Sequence, residues 1–151
     1  MNLFGVMDIS ASALQAERVR AEVVAANMAN AETTRTADGG PYRRQHVVFQ
    51  TAGGDGFASS LLGTGGWSGF EDAVAPGGVK VAGVVSDRSA PLERYDPQHP
   101  DAGPDGYVAY PDINPLTEMV DLMGASRSYG LNATAVQAEK SMVTSSLELL
   151  K

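Results

Sequence analysis

Two stretches of the chain carry apolar and small residues at alternating spacings of three and four. Between Asp8 and Ala31, the positions Ile9, Ala13, Ala16, Arg20, Val23, Asn27 and Asn30 form one such seam, with Leu14, Val19, Val24 and Ala26 widening it. Asp8 is the expected N-cap of this helix. Between Leu116 and Leu150 the seam runs through Met119, Leu122, Ser126, Tyr129, Ala133, Val136, Lys140, Val143, Leu147 and Leu150. Leu116, Val120, Met123, Leu131, Ala138 and Met142 thicken that stripe. Asn114-Pro115 opens this second helix well, Asn as N-cap and Pro at the first helical position.

Between the helices the period shortens to two. "RRQHVVFQT" (43–51), "GGVKVAGVVSD" (77–87), "PLERYD" (91–96) and "GYVAYPD" (106–112) are β-branched or aromatic and bounded by Gly, Pro and Asp, so they read as strands. Eight of the ten aromatic residues lie between Tyr42 and Tyr110, which places the expected compact core in this insert. Residues 53–70 are rich in glycine and are expected to form a mobile loop or surface hairpin carrying Trp67 and Phe70. The expected fold is mainly α with a small β insert. Long N- and C-terminal helices pair as a coiled-coil-like arm in a discontinuous helical axial-core domain (1–34 and 113–151), and a short-stranded β-rich outer domain (35–112) lies between them.

Composition narrows the chemistry. The 151 residues carry a formal net charge of −7, which argues against a surface that binds nucleic-acid phosphates. Arg43-Arg44 is the nearest approach to a basic patch, and such a pair is ordinarily solvated. Without cysteine the chain has no disulfide framework, thiolate nucleophile or sulfur-ligated metal. The opening "MNLFGVMDIS" has no basic n-region and no long apolar run, so no cleaved secretory signal is expected. No stretch approaches the roughly 20 apolar residues of a membrane span, so no direct membrane insertion is expected.

No catalytic constellation is assembled by the motifs. The two histidines, His46 and His99, lie in different segments. "GTGGWSG" matches neither the P-loop nor the dinucleotide fingerprint, and the nucleophile-elbow pattern is missing. Asp96, Asp101, Asp105 and Asp112 lack the EF-hand spacing and sit beside Pro and Gly as turn formers. "NAT" at 132–134 fits a glycosylation sequon but falls inside a helix. No enzyme activity, cofactor or metal is expected.

Two thin helical arms, rich in Ala, Ser and Met, bury little surface by themselves. Burial stabilises by roughly 25 cal/mol per Å², against roughly 1–2 kcal/mol of backbone entropy per ordered residue. The arms are therefore expected to complete their burial between subunits. The candidate assembly interface comprises Ile9, Ala13, Ala16, Val23, Asn27, Asn30, Met119, Leu122, Ser126, Tyr129, Ala133, Val136, Val143 and Leu147. On this seam the amides Asn27 and Asn30 would specify register between copies, and Asn30 could end the helix in a left-handed conformation. The alternative is that both face water and cap the helix.

The motif "ANMANAETT" resembles the signature near the N-terminus of bacterial flagellar rod and hook proteins. "YDPQHPDAGPDGYVAYPDIN" followed by "EMVDLMGASRSYGLNATAVQAEKSM" is similar to the proximal-rod group of that family. "LFGVMDISASALQAERVRAEVVAANMANAETT", "GPYRRQHVVFQ" and "GGVKVAGVVSD" follow the same order. Gly53–Gly69 looks like an insertion, and Asp112 stands where the family often has Asn. The resemblance implies a structural subunit of the basal-body rod in the periplasmic space, the shaft that transmits torque. It implies export from the cytoplasm through the flagellar type III apparatus without cleavage. Its partners would be other rod proteins and copies of itself, with the paired helices as the inner layer of a tube and the insert outside. A sibling axial protein or, from another class, a soluble helical adaptor remain the alternatives; a cell-wall enzyme would need a carboxylate pair or metal site that these residues do not assemble.

Overall fold

The computed structural model describes residues 3–37, 39–52 and 77–149. The glycine-rich segment expected to loop out at 53–70, with Trp67 and Phe70, lies outside the described residues. The elements run α1 (Leu3–Ala29), β1 (Gln45–Ala52), β2 (Gly78–Ser86), β3 (Leu92–Tyr95), β4 (Tyr107–Tyr110) and α2 (Pro115–Glu148). Two helices at the ends of the chain thus flank a small β region. The strands lie where the period-two runs end on Gly, Pro or Asp, displaced by one or two residues at most.

The chain divides into two compact units, and both helices contribute to each. One unit comprises Met1–Arg18, Phe49–Ala82 and Arg127–Lys151; the other comprises Val19–Val48 and Gly83–Ser126. In the first, α1 meets β2 where the Ser12 hydroxyl accepts the Val79 N–H at 3.1 Å. In the second, β3 and β4 form an antiparallel ribbon in the register Leu92↔Tyr110 to Tyr95↔Tyr107. β1 and β2 form a separate two-stranded sheet.

α1 begins five residues before the expected N-cap. Leu3–Met7 contains no proline, and the helix passes through Asp8, which lies exposed beyond the first turn. At the other helix the cap is as expected. Asn114 Oδ1 accepts the Leu116 N–H at 3.0 Å, and Pro115 occupies the first helical position, where its missing N–H costs nothing.

The aromatic side chains of the insert do not, among the described residues, form the expected core. Among the described residues the buried apolar side chains are Ala16, Val24, Ala52, Val108, Ile113 and Ala125, most of them small and half of them helical. All four residues of β3 are exposed. Tyr95 and Tyr107 instead meet edge to face at 5.3 Å on the ribbon surface, and Arg94 stacks over the Tyr110 ring at 4.1 Å. On the exposed side of the ribbon, cross-strand pairs take the place of burial for these rings.

The buried line of α2 is rotated from the expected seam. It runs through Glu118, Asp121, Leu122, Ala125, Ser128, Asn132, Val136, Glu139 and Val143. Met119, Ser126, Tyr129, Lys140 and Leu147, all placed on the seam by sequence, are exposed. The large apolar side chains had set the expected phase, while the buried line includes two glutamates.

Gly106 holds the turn into β4. Its φ is 77°, and a Cβ there would come within 2.8 Å of Tyr95 Cε2. We expect Gly106→Ala to cost at least about 1 kcal/mol through left-handed backbone strain and to separate the Tyr95–Tyr107 rings. Proton NMR shifts of the two rings check this; unchanged ring shifts would contradict it.

Candidate assembly site

Asn27 stands one residue-pair from the end of α1 and is 1% exposed. Its side-chain amide behaves as a peptide group would in a neighbouring strand. Oδ1 accepts the Gln45 N–H at 2.9 Å while Nδ2 donates to the Gln45 carbonyl at 2.9 Å. The Tyr42 hydroxyl donates to Oδ1 at 3.2 Å, and the second Nδ2 hydrogen goes to Glu118 Oε2 at 3.1 Å. All four hydrogen-bonding positions of the amide are filled. The expectation that Asn27 sets register between copies meets a physical obstacle here, because its capacity is taken up within the chain.

Glu118, also 1% exposed, carries the junction into α2. Its Oε1 forms an ion pair with Arg44. Arg44 also lies 3.7 Å from Asp121, and Asp121 lies 3.7 Å from Arg20 on α1. Carboxylates and guanidinium groups thus alternate from α1 through the start of β1 to the first turns of α2. Removing one partner from a buried pair leaves an uncompensated charge, which costs more than the pair itself contributes. Burial, and then the negative charge of Glu118, push the Tyr42 phenol above its ordinary pKa.

Asn30 has a different task. Its Nδ2 donates to the Ala26 carbonyl at 2.9 Å and its Oδ1 accepts the Thr33 hydroxyl at 3.2 Å. It closes the end of α1, and Tyr42 N–H to Thr33 carbonyl at 3.0 Å then returns the chain toward β1. Thr34 Oγ1 donates to Asp101 Oδ2 at 2.8 Å, fastening the segment after α1 to the β3–β4 loop. Asp101, one of four aspartates assigned to turns by sequence, therefore serves as a tie. His46 lies 3.7 Å from Asp87, whose carboxyl is held below its usual range chiefly by hydrogen bonds from Ser89 and further by His46.

The other candidate residues divide by exposure. Ile9, Ala13, Val23, Leu122, Ala133, Val136 and Val143 are half-buried and Ala16 is buried, whereas Met119, Ser126, Tyr129 and Leu147 are exposed. The sequence reading missed Glu118, Arg44, Gln45 and Tyr42. A clue was available in Glu118, an acidic residue in the first turn of a capped helix. Among the described residues no group of three His, Cys, Asp or Glu could hold a metal ion, and no helix is long and apolar enough to cross a membrane.

A chain with terminal helices, a small intervening β region and a tightly bonded N-M-A-N helix end matches flagellar rod families at both ends. Residues 7–35 match the family described as flagella basal body rod protein, and residues 105–149 match the flagellar basal body rod FlgEFG protein C-terminal family. The flagellar basal-body rod protein FlgC of Bacillus subtilis is 43% identical over 155 residues, covering 100% of both chains. The proteins of that description from Borreliella burgdorferi and Salmonella typhimurium are 37% and 38% identical, over 100% and 99% of this chain and 99% and 98% of their own. The chain belongs to the FlgC family of flagellar basal-body rod proteins. It is a structural subunit of the flagellar basal-body rod.

Two predictions follow the junction. Asn27→Leu strips the Gln45 backbone and Glu118 of partners and should lower stability by more than about 2 kcal/mol, against about 1 kcal/mol for the helix-end change Asn30→Ala. Urea unfolding of the two variants measures the difference; an Asn27→Leu midpoint equal to wild type would refute it. The raised Tyr42 pKa means the folded state favours the protonated phenol. Its contribution is complete below the ordinary tyrosine value near 10 and is lost as pH rises through the folded value. Wild type should therefore lose more stability than Tyr42→Phe between about pH 8 and pH 11.

Proposed function

We propose that this rod subunit polymerises through its terminal helices and transmits torque across the periplasm. The observation that carries this reading is a patch on the first turns of α2. Leu116, Met119, Val120 and Met123 are 70%, 49%, 56% and 60% exposed, spaced as one helical face. Large side chains in water on a helix with buried glutamates make sense where another helix will cover them. Tyr129 and Leu147, exposed further along α2, extend the same requirement, while the half-buried candidates serve packing within the chain.

In this reading residues 1–34 and 113–151 form a helical axial core with coiled-coil-like pairing, and residues 35–112 form the outer β-rich region. Torque passes through many laterally packed helices resisting shear, so no single residue carries it and no catalysis is required. Neighbours are copies of the chain and other rod proteins. The chain reaches them through the flagellar type III export apparatus, a reading that its membership of the rod family supports.

The test introduces charge on the patch. Val120→Lys and Met123→Glu alter exposed positions and should shift monomer stability by no more than about 0.5 kcal/mol. We expect both to be exported yet depleted at least tenfold from isolated basal bodies, with loss of swimming. Wild-type incorporation of both would overturn assembly through this face.

A further inference from the structure

The described methionines divide between the two helices. Met7 and Met28 on α1 are half-buried, whereas Met119, Met123 and Met142 on α2 are 49%, 60% and 53% exposed. Met119 and Met123 stand one turn apart on one face, within the patch that Leu116 and Val120 complete. Met142 lies about five turns further along the helix, outside that patch. The two thioethers are thus the only oxidisable side chains of a face that is otherwise aliphatic. A methionine is soft and apolar while its sulfur is reduced, and polar once the sulfur carries oxygen.

We propose that Met119 and Met123 are oxidation sites whose state decides whether a free subunit joins the rod. The oxidant is a hydroperoxide. A sulfur lone pair attacks the outer peroxide oxygen, an S–O bond forms and the O–O bond breaks. The sulfur loses two electrons to the peroxide, and the proton of the transferred oxygen passes to the leaving one, so hydrogen peroxide yields water. In the free subunit both sulfurs face solvent, so the sulfoxide is hydrated and folding is undisturbed. Beneath a neighbouring helix the same oxygen would lose its water beside Leu116 and Val120, which offer no donor, and a polar group buried in that way is costly. Oxidation before assembly therefore excludes a subunit, while assembly first shields the sulfurs. Enzymes that reduce methionine sulfoxide reverse the step. This proposal rests on the polymerisation reading and adds a chemical condition to it.

The experiment uses the full chain. Purified protein is treated with hydrogen peroxide and mapped by peptide mass spectrometry. Met119, Met123 and Met142 should oxidise at least about threefold faster than Met7 and Met28, with the urea midpoint unchanged. In cells, copy number in isolated basal bodies is compared with and without sublethal peroxide during rod assembly. Wild type and Met142→Leu should fall at least about fivefold. Met119→Leu/Met123→Leu, which keeps apolar bulk and removes both sulfurs, should fall less than about twofold from its own untreated level. Slow oxidation of the two sulfurs, a lowered midpoint after oxidation, or equal losses in all three chains would overturn the proposal. So would absence of Met119→Leu/Met123→Leu from untreated basal bodies, since apolar bulk would then not be what the sulfurs contribute. Val120→Lys and Met123→Glu separate this from the underlying reading. Their normal incorporation sinks assembly through the face itself, whereas their exclusion alongside a peroxide-resistant wild type sinks only the oxidation proposal.

Discussion

One side-chain amide fixes how the end of α1 meets the start of β1 and the first turn of α2. Asn27 binds both backbone groups of Gln45, as a paired strand would, and its remaining donor and acceptor positions go to Glu118 and Tyr42. Few residues could replace it. Aspartate cannot donate, a hydroxyl cannot span both backbone groups, and glutamine adds a methylene that would displace the amide. A poor helix former near a helix end is thus retained because the amide satisfies a backbone that no strand covers at that point. The ion pair of Arg44 with Glu118 depends on the same placement, since Asn27 orients the carboxylate that Arg44 meets.

The elements were largely legible from the sequence because their boundaries are local chemistry. Asn114-Pro115 caps α2 whatever lies around it, and Gly, Pro and Asp end each strand within a residue or two of the expected position. The amides at 27 and 30 were equally visible as oddities. Their partners were not, because Gln45 and Glu118 are 18 and 91 residues away from Asn27, and nothing in spacing or composition pairs them. The start of α1 escaped for the opposite reason: Asp8 is a good cap by type, but the residues before it have no feature that stops a helix.

The phase of α2 is the more instructive difference. Hydrophobic periodicity finds the interior only when the large apolar residues are inside. Here the buried line includes Glu118, Ala125 and Glu139, while Leu116, Val120, Met123, Leu131 and Met142 face outward. The periodicity of the large apolar residues therefore follows much of the exposed face of α2 and misses Glu118, Ala125 and Glu139. The aromatic count misled in a similar way, since Tyr95 and Tyr107 stabilise an exposed ribbon through each other and not through a core.

This inversion separates two tasks that a compact monomer performs with one set of residues. Polar contacts such as Asn27 with Gln45 and Glu118 are directional, so they can define where a helix end, a strand and a second helix meet without much buried area. Apolar contacts are non-directional and scale with area, and a thin helix has little area to offer its own chain. Keeping the directional contacts within the subunit fixes its local geometry before any neighbour arrives. In the proposed assembly, apolar area left outside would let each neighbour add burial in proportion to contact, so the helices would gain stability there. Under that proposal the division suits a rod subunit: the chain sets the shape, and the stack supplies the strength.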